Sequence, residues 1–165
     1  MKALGSLRIL FVCTGNTCRS PMAEALFRAQ MSKKLGCSPD QLARHGYDVL
    51  SAGIHAADSD PASTESVHAM QEYQVDLSFH LSHRVTDEML EKSDYVFALA
   101  AGHMNALQNS RPDLAEKFRM LHPNGRSVSD PIGYGPDRYQ ECAKEIEECV
   151  TTIVADLHQK DSELQ

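Results

Sequence analysis

Cys13 and Arg19 stand six residues apart in CTGNTCRS, residues 13–20, and the residues between and around them suggest a chemistry. Alone the spacing is a weak signal, since the chain holds five cysteines and nine arginines, so the surroundings must carry the reading. An apolar run ends at Cys13. Thr14, Gly15, Asn16, Thr17 and Cys18 follow as a short loop, and Ser20-Pro21 opens a helical pattern. A loop bent between a strand and a helix turns successive backbone N–H groups inward as an anion nest. The helix terminus adds about half a positive charge and free amides. Arg19 adds a planar fork that grips two oxygens of a tetrahedral dianion. The same field favours a thiolate at Cys13, and the thiolate is the reactive form of cysteine. The Ser20 hydroxyl is a further donor to it.

A charged sulfur at the floor of an anion cradle is placed to attack phosphorus. The leaving group then needs a proton. Asp130, in SDPIG, follows a weak strand far along the chain, and its loop is expected to open on the same edge as the cradle. Pro131 biases it toward extended backbone. Asp130 is therefore assigned as general acid for the first step and base for water in the second.

The elements that must position these groups follow from periodicity. LRILFV (7–12) reads as a buried strand, and PMAEALFRAQMSKKL (21–35) as a helix with proline in its first turn. YDVLSAG (47–53) and DYVFALA (94–100) read as further strands, and FRMLHP (118–123) as a weak fourth. Helices are expected at 65–73 and just after 101, with loops at 53–64 and 124–135. From Pro136 onward, Tyr139, Cys142, Ile146, Val150, Ile153 and Leu157 form one apolar stripe. Strands alternating with helices predict an α/β, three-layer fold, a parallel sheet covered on both faces, with ligands at the carboxyl ends of its strands. Cys13 lies at the end of the first.

The length of 165 residues predicts a single domain over 1–165, and 42% hydrophobic residues supply a core. A net charge of −7 argues against general nucleic-acid binding. No apolar run approaches the ~20 residues of a membrane span. The N-terminal apolar run leads directly into the cysteine motif without a cleavage site, so a cytoplasmic protein is expected. An odd number of cysteines without scaffold spacing fits a reducing compartment, and no metal-ligand spacing occurs. Cys37, Cys142 and Cys149 read as packing or surface residues, and the seven histidines other than His80 are given no function.

VCTGNTCRSPMAE resembles the signature of the low-molecular-weight protein-tyrosine phosphatases. SAG at 51–53, DLSFHLSHRVT at 76–86, DYVFALAAGHMNAL at 94–107 and DPIGYG at 130–135 fall in that family's order, so the resemblance spans nearly the whole chain. It implies a four-stranded parallel sheet flanked by helices and a cysteine-dependent hydrolase acting on a phosphorylated protein or peptide. Phosphate and other oxyanions would bind the loop, with no metal or cofactor. Position by position it implies Cys13 as nucleophile, Arg19 as phosphate clamp and Asp130 as general acid. Asn16 and Ser20 would shape the loop, with Ser51 and His80 hydrogen-bonded to Asn16. Cys18 would be a redox partner able to form a reversible disulfide with the nucleophile.

The departures bear on substrate. Where tyrosine-specific members tend to place aromatic residues after the Asp-Pro pair, this chain has Ile132 and Gly133, with Tyr134 one step later. Thr17 replaces a common aliphatic residue and resembles the bacterial protein-arginine phosphatases of the family. Thr17, Ile132 and Tyr134 are thus candidate substrate-pocket residues, with a lean to phosphoarginine over phosphotyrosine. The alternative on the same scaffold, an arsenate reductase, needs resolving cysteines in the segment equivalent to 80–105, and none is present there. A phosphate-binding module would need neither Cys13 nor Asp130, and an acyl hydrolase would need a histidine in the motif.

Overall fold

The computed structural model describes residues 5–163. Residues 1–4 and 164–165, the ends of the expected 1–165 domain, lie outside the described residues. Four strands, β1 (Leu7–Cys13), β2 (Tyr47–Gly53), β3 (Tyr95–Ala98) and β4 (Phe118–Met120), form one parallel sheet in the order β2-β1-β3-β4. β1 is interior, and its residues 9–13 are buried without interruption, as expected of a strand covered on both faces. Successive side chains alternate between the faces. Ile9, Phe11 and Cys13 join a core shared with Met22, Leu26 and Phe27 of α1 (Arg19–Leu35) and with Ile146, Val150 and Val154 of α5 (Pro136–Glu163). Leu10 and Val12 join the opposite core, with Leu90 of α3 (Asp87–Lys92) and Leu107 of α4 (Ala101–Ser110). α2 (Thr64–Gln71) lies on the α1–α5 side. Every residue of the expected α5 stripe is buried. Among the described residues, no helix is long and apolar enough to cross a membrane.

The structure corrects several boundaries. α1 begins at Arg19, two residues ahead of the expected start, with Cys18 as its N-cap. Pro21 still falls in the first turn, where a missing N–H costs no intrahelical bond. α2 spans 64–71 instead of 65–73, β3 is confined to 95–98, and β4 ends at Met120. α3 and two 3₁₀ turns, Pro39–His45 and Pro112–Lys117, were not expected. They are too short to show a period, although Ser38 and Gln41 form a capping box that heads the first turn.

Candidate active site

Cys13 ends β1 on the α1 face and is buried. Its Sγ lies 2.9 Å from the Ser20 Oγ in the first turn of α1. The loop between them is held from outside by its carbonyls. The amide of Ile54 donates to the Cys13 carbonyl, that of His55 to Thr14 and that of Ser63 to Thr17, each at 2.9 Å. His80 Nε2 lies 2.7 Å from the Asn16 carbonyl. A carbonyl only accepts, so the proton of this imidazole sits on Nε2. A trans peptide keeps its C=O and N–H on opposite sides. With four carbonyls turned out toward neighbouring segments, the amides of Thr14, Gly15, Thr17 and Cys18 face the other way, into the cavity that Cys13, Arg19 and Asp130 also line. This is the nest expected from the loop's place between strand and helix.

Asn16 makes the corner. It is fully buried and has φ +56°, a left-handed conformation that asparagine tolerates better than most side chains. Its Nδ2 donates to the Ser20 Oγ at 2.8 Å and the Ser51 Oγ at 3.0 Å, and its Oδ1 accepts from the His83 amide at 2.9 Å. Because Asn16 occupies a lone pair of the Ser20 oxygen, the serine hydrogen is free for the nearby sulfur, which is closer than its other acceptor, the Ala52 carbonyl at 3.3 Å. Ser51 donates in turn to Glu24 Oε2 at 2.5 Å, and Glu24 Oε1 pairs with Arg28 Nε at 3.2 Å. A continuous chain of hydrogen bonds therefore runs from Arg28 to the Cys13 sulfur. Gly53, beside this corner, has no room for a side chain: an added Cβ would stand 2.5 Å from the Thr14 carbonyl oxygen and 3.0 Å from the Asn16 nitrogen.

Arg19 is buried beneath the cavity. One arm of its fork donates to the Val128 carbonyl at 3.0 Å, and the other lies 3.4 Å from Asp130 Oδ2. The Asp130 Oδ1 accepts the Ile132 amide at 3.1 Å, a local turn that fixes the carboxylate at the cavity mouth. Thr17 and Ile132 line the same cavity. Beyond Asp130–Ile132 a wider groove of about 720 Å³ opens, lined by Tyr134, Arg138, Glu141 and Glu145 among others. Tyr134 is largely exposed, with the Arg138 guanidinium 5.9 Å from its ring centre.

Cys18 lines the same cavity as Cys13, and its Sγ lies among hydroxyls, with Ser63 Oγ at 3.5 Å, Tyr139 Oη at 3.6 Å and Thr17 Oγ1 at 3.7 Å. Burial raises the Tyr139 hydroxyl well above its ordinary range. Cys142, whose Sγ lies 3.7 Å from the Ser129 carbonyl, and Cys149 are both buried. Burial pushes their thiols up to about 12 and about 11, so at neutral pH both are protonated, packed groups. Cys37 is partly exposed.

The structure also brings in residues that sequence reasoning passed over. Glu24 and the His83 amide complete the Asn16 network, and Val128 supplies the carbonyl that holds Arg19. His103, grouped with the histidines of no function, places Nε2 2.9 Å from the Thr14 Oγ1. Burial, and secondarily the Arg19 charge, lower its pKa to about 4 against an opposing pull from Asp130, so the ring is neutral. None of these contacts has a local sequence signal.

The model of the low molecular weight phosphotyrosine protein phosphatase family matches residues 8–163. A protein-arginine-phosphatase of Bacillus subtilis is 33% identical over 153 residues, covering 90% of this chain and 95% of its own. A low molecular weight protein-tyrosine-phosphatase of Streptomyces coelicolor is also 33% identical, over 165 residues, covering 93% and 94%. Among solved structures, a cysteine-to-serine variant of the arginine phosphatase YwlE, with its active-site serine phosphorylated, superposes with a TM-score of 0.82. It is 32% identical and covers 96% of this chain and all of its own.

Proposed function

Because this chain belongs to the low molecular weight phosphotyrosine protein phosphatase family and is a cysteine-based phosphatase, we propose that Cys13, Arg19 and Asp130 carry its reaction. The supporting observation is the convergence on one cavity of the Cys13 sulfur, four inward amides, the Arg19 fork and the Asp130 carboxyl. Phosphate oxygens of the substrate take the amides and Arg19, displacing that guanidinium from its contact with Asp130. The Cys13 thiolate attacks phosphorus, the bond to the leaving atom breaks, and the Asp130 carboxyl gives that atom its proton. The enzyme then holds a phosphocysteine. Water attacks it, passing its proton to the Asp130 carboxylate, and inorganic phosphate leaves with the thiolate restored. The phosphorylated active-site serine of the solved relative is consistent with a phosphoryl group passing through this position. One catalytic domain over 1–165 performs both steps. Cys18 serves as a redox partner of Cys13.

The substrate is a phosphorylated protein or peptide, and the reading favours phosphoarginine. Thr17 and Ile132 line the cavity where a phenol ring would meet aromatic neighbours, and the Thr17 hydroxyl can accept from a guanidinium nitrogen. A relative carrying the arginine-phosphatase name shares 33% of its residues, but so does one named for tyrosine. Turnover of phosphoarginine and phosphotyrosine peptides by the natural chain and by Thr17→Ile decides it. The expected result is a higher kcat/KM for phosphoarginine that falls selectively in the variant. Equal losses on both substrates would remove Thr17 as the discriminator. Cys13→Ser is expected to abolish turnover while retaining oxyanion binding, and Asp130→Ala to slow poor leaving groups far more than good ones. Retained turnover, or a uniform loss across leaving groups, would contradict the respective role.

A further inference from the structure

His103 is the third residue of α4 and is buried on the far side of the loop from α1. The only hydrogen-bond partner of its ring among the described residues is the Thr14 hydroxyl, and its Nδ1 is buried without one. A neutral imidazole carries one N–H, so two arrangements compete. With the proton on Nδ1, a buried N–H has no acceptor and Thr14 must donate its hydrogen to the ring. With the proton on Nε2, the ring donates to the Thr14 Oγ1 and leaves Nδ1 as a bare acceptor. Orphaned buried N–H groups are rarer than under-used acceptors, so the second arrangement is favoured. The Thr14 hydrogen is then directed off the ring. Thr14 lines the cavity with Cys13 and Arg19, so that hydrogen has the anion as its natural acceptor. A hydroxyl already accepting a hydrogen bond is also the stronger donor.

We infer that His103 is a positioning residue, whose Nε2–H fixes the Thr14 hydroxyl as a donor to the phosphoryl group or oxyanion held by the loop. The inference rests on the reading of residues 13–19 as the phosphate cradle. It differs from that reading in assigning the selectivity of the Thr14 rotor to a histidine on another helix, about 90 residues away in sequence. No charge on the ring is needed, and the neutral state set by burial beside Arg19 suits the role.

The test uses inorganic vanadate as a competitive inhibitor of aryl-phosphate hydrolysis, with kcat and KM measured separately. The variants are His103→Phe, His103→Gln, Thr14→Val and the two Thr14→Val doubles. His103→Phe and Thr14→Val are each expected to weaken vanadate inhibition about three- to tenfold, the worth of one hydrogen bond. His103→Gln, which keeps an amide donor, should stay within about twofold of the natural chain. In the Thr14→Val background neither His103 change should cost more, because the group it acts through is gone. Losses that multiply in the doubles, or an unchanged inhibition constant in His103→Phe, would overturn the inference. So would a His103→Gln defect as large as Thr14→Val. If His103→Phe does not fold, His103→Gln, Thr14→Val and their double still decide. A natural chain that vanadate does not inhibit would instead sink the cradle reading itself.

Discussion

Asn16→Ala is the perturbation whose cost the structure defines most fully. The side chain is buried and makes three hydrogen bonds, to Ser20, Ser51 and the His83 amide. Ser51 keeps Glu24, and Ser20 keeps Cys13 and Ala52 as neighbours, so their losses are partial. The His83 amide loses its acceptor outright. A part-buried group left unpaired costs about 1–2 kcal/mol, and an alanine held at φ +56° adds about 1 kcal/mol. The sum, with the partial losses, is about 3–5 kcal/mol, and at ~2–4 °C per kcal/mol the melting temperature should fall roughly 6–20 °C. Asn16→Gly separates the two contributions, since glycine is unstrained in this conformation and should recover only about 1 kcal/mol. Differential scanning calorimetry and urea unfolding measure both, and vanadate affinity reports whether the nest has collapsed. A destabilisation below about 1 kcal/mol for Asn16→Ala would refute the claim that this side chain holds the loop. So would full recovery in Asn16→Gly, because backbone strain would then explain everything.

Three further outcomes follow from the same geometry. Gly53→Ala drives a methyl group into the Thr14 carbonyl and the Asn16 amide, so it should cost about 1–3 kcal/mol and weaken oxyanion binding together; a stable variant with unchanged vanadate inhibition would contradict the contact. His103 has a folded pKa near 4, below its ordinary value of 6.5, so the unfolded chain takes up the proton first and stability is present above pH 6.5 and lost as pH falls toward 4. This one group accounts for about 3 kcal/mol by pH 4, and His103→Gln should flatten that part of the pH–stability curve measured by urea unfolding; identical slopes would refute it. Saturating phosphate or sulfate at about 100 times its dissociation constant should stabilise the chain by about 2.7 kcal/mol, in the natural protein and in Cys13→Ser alike, and calorimetry showing no shift would count against the loop as an anion site.

The proposed catalytic loop is legible in the sequence because its chemistry is local. The proposed nucleophile, the amides, the guanidinium and the helix start lie within eight consecutive residues, Cys13 to Ser20, and an apolar run followed by helix formers states that a strand hands over to a helix there. The buried strands and the α5 stripe are legible for a similar reason, since period and composition survive without knowledge of partners. α3 and the 3₁₀ turns were not, because six or seven residues rich in charge carry no period. Beyond Ser51 and His80, which the family resemblance implied, only the tertiary structure decided how the loop is held open. Its carbonyls are pinned by Ile54, His55, Ser63 and His80, its corner by Ser51 and His83, its threonine by His103 and its arginine by Val128. These partners come from segments that the parallel sheet gathers at one edge. A hydrogen bond across that edge depends on distance in space, and nothing in the order of residues along the chain records it.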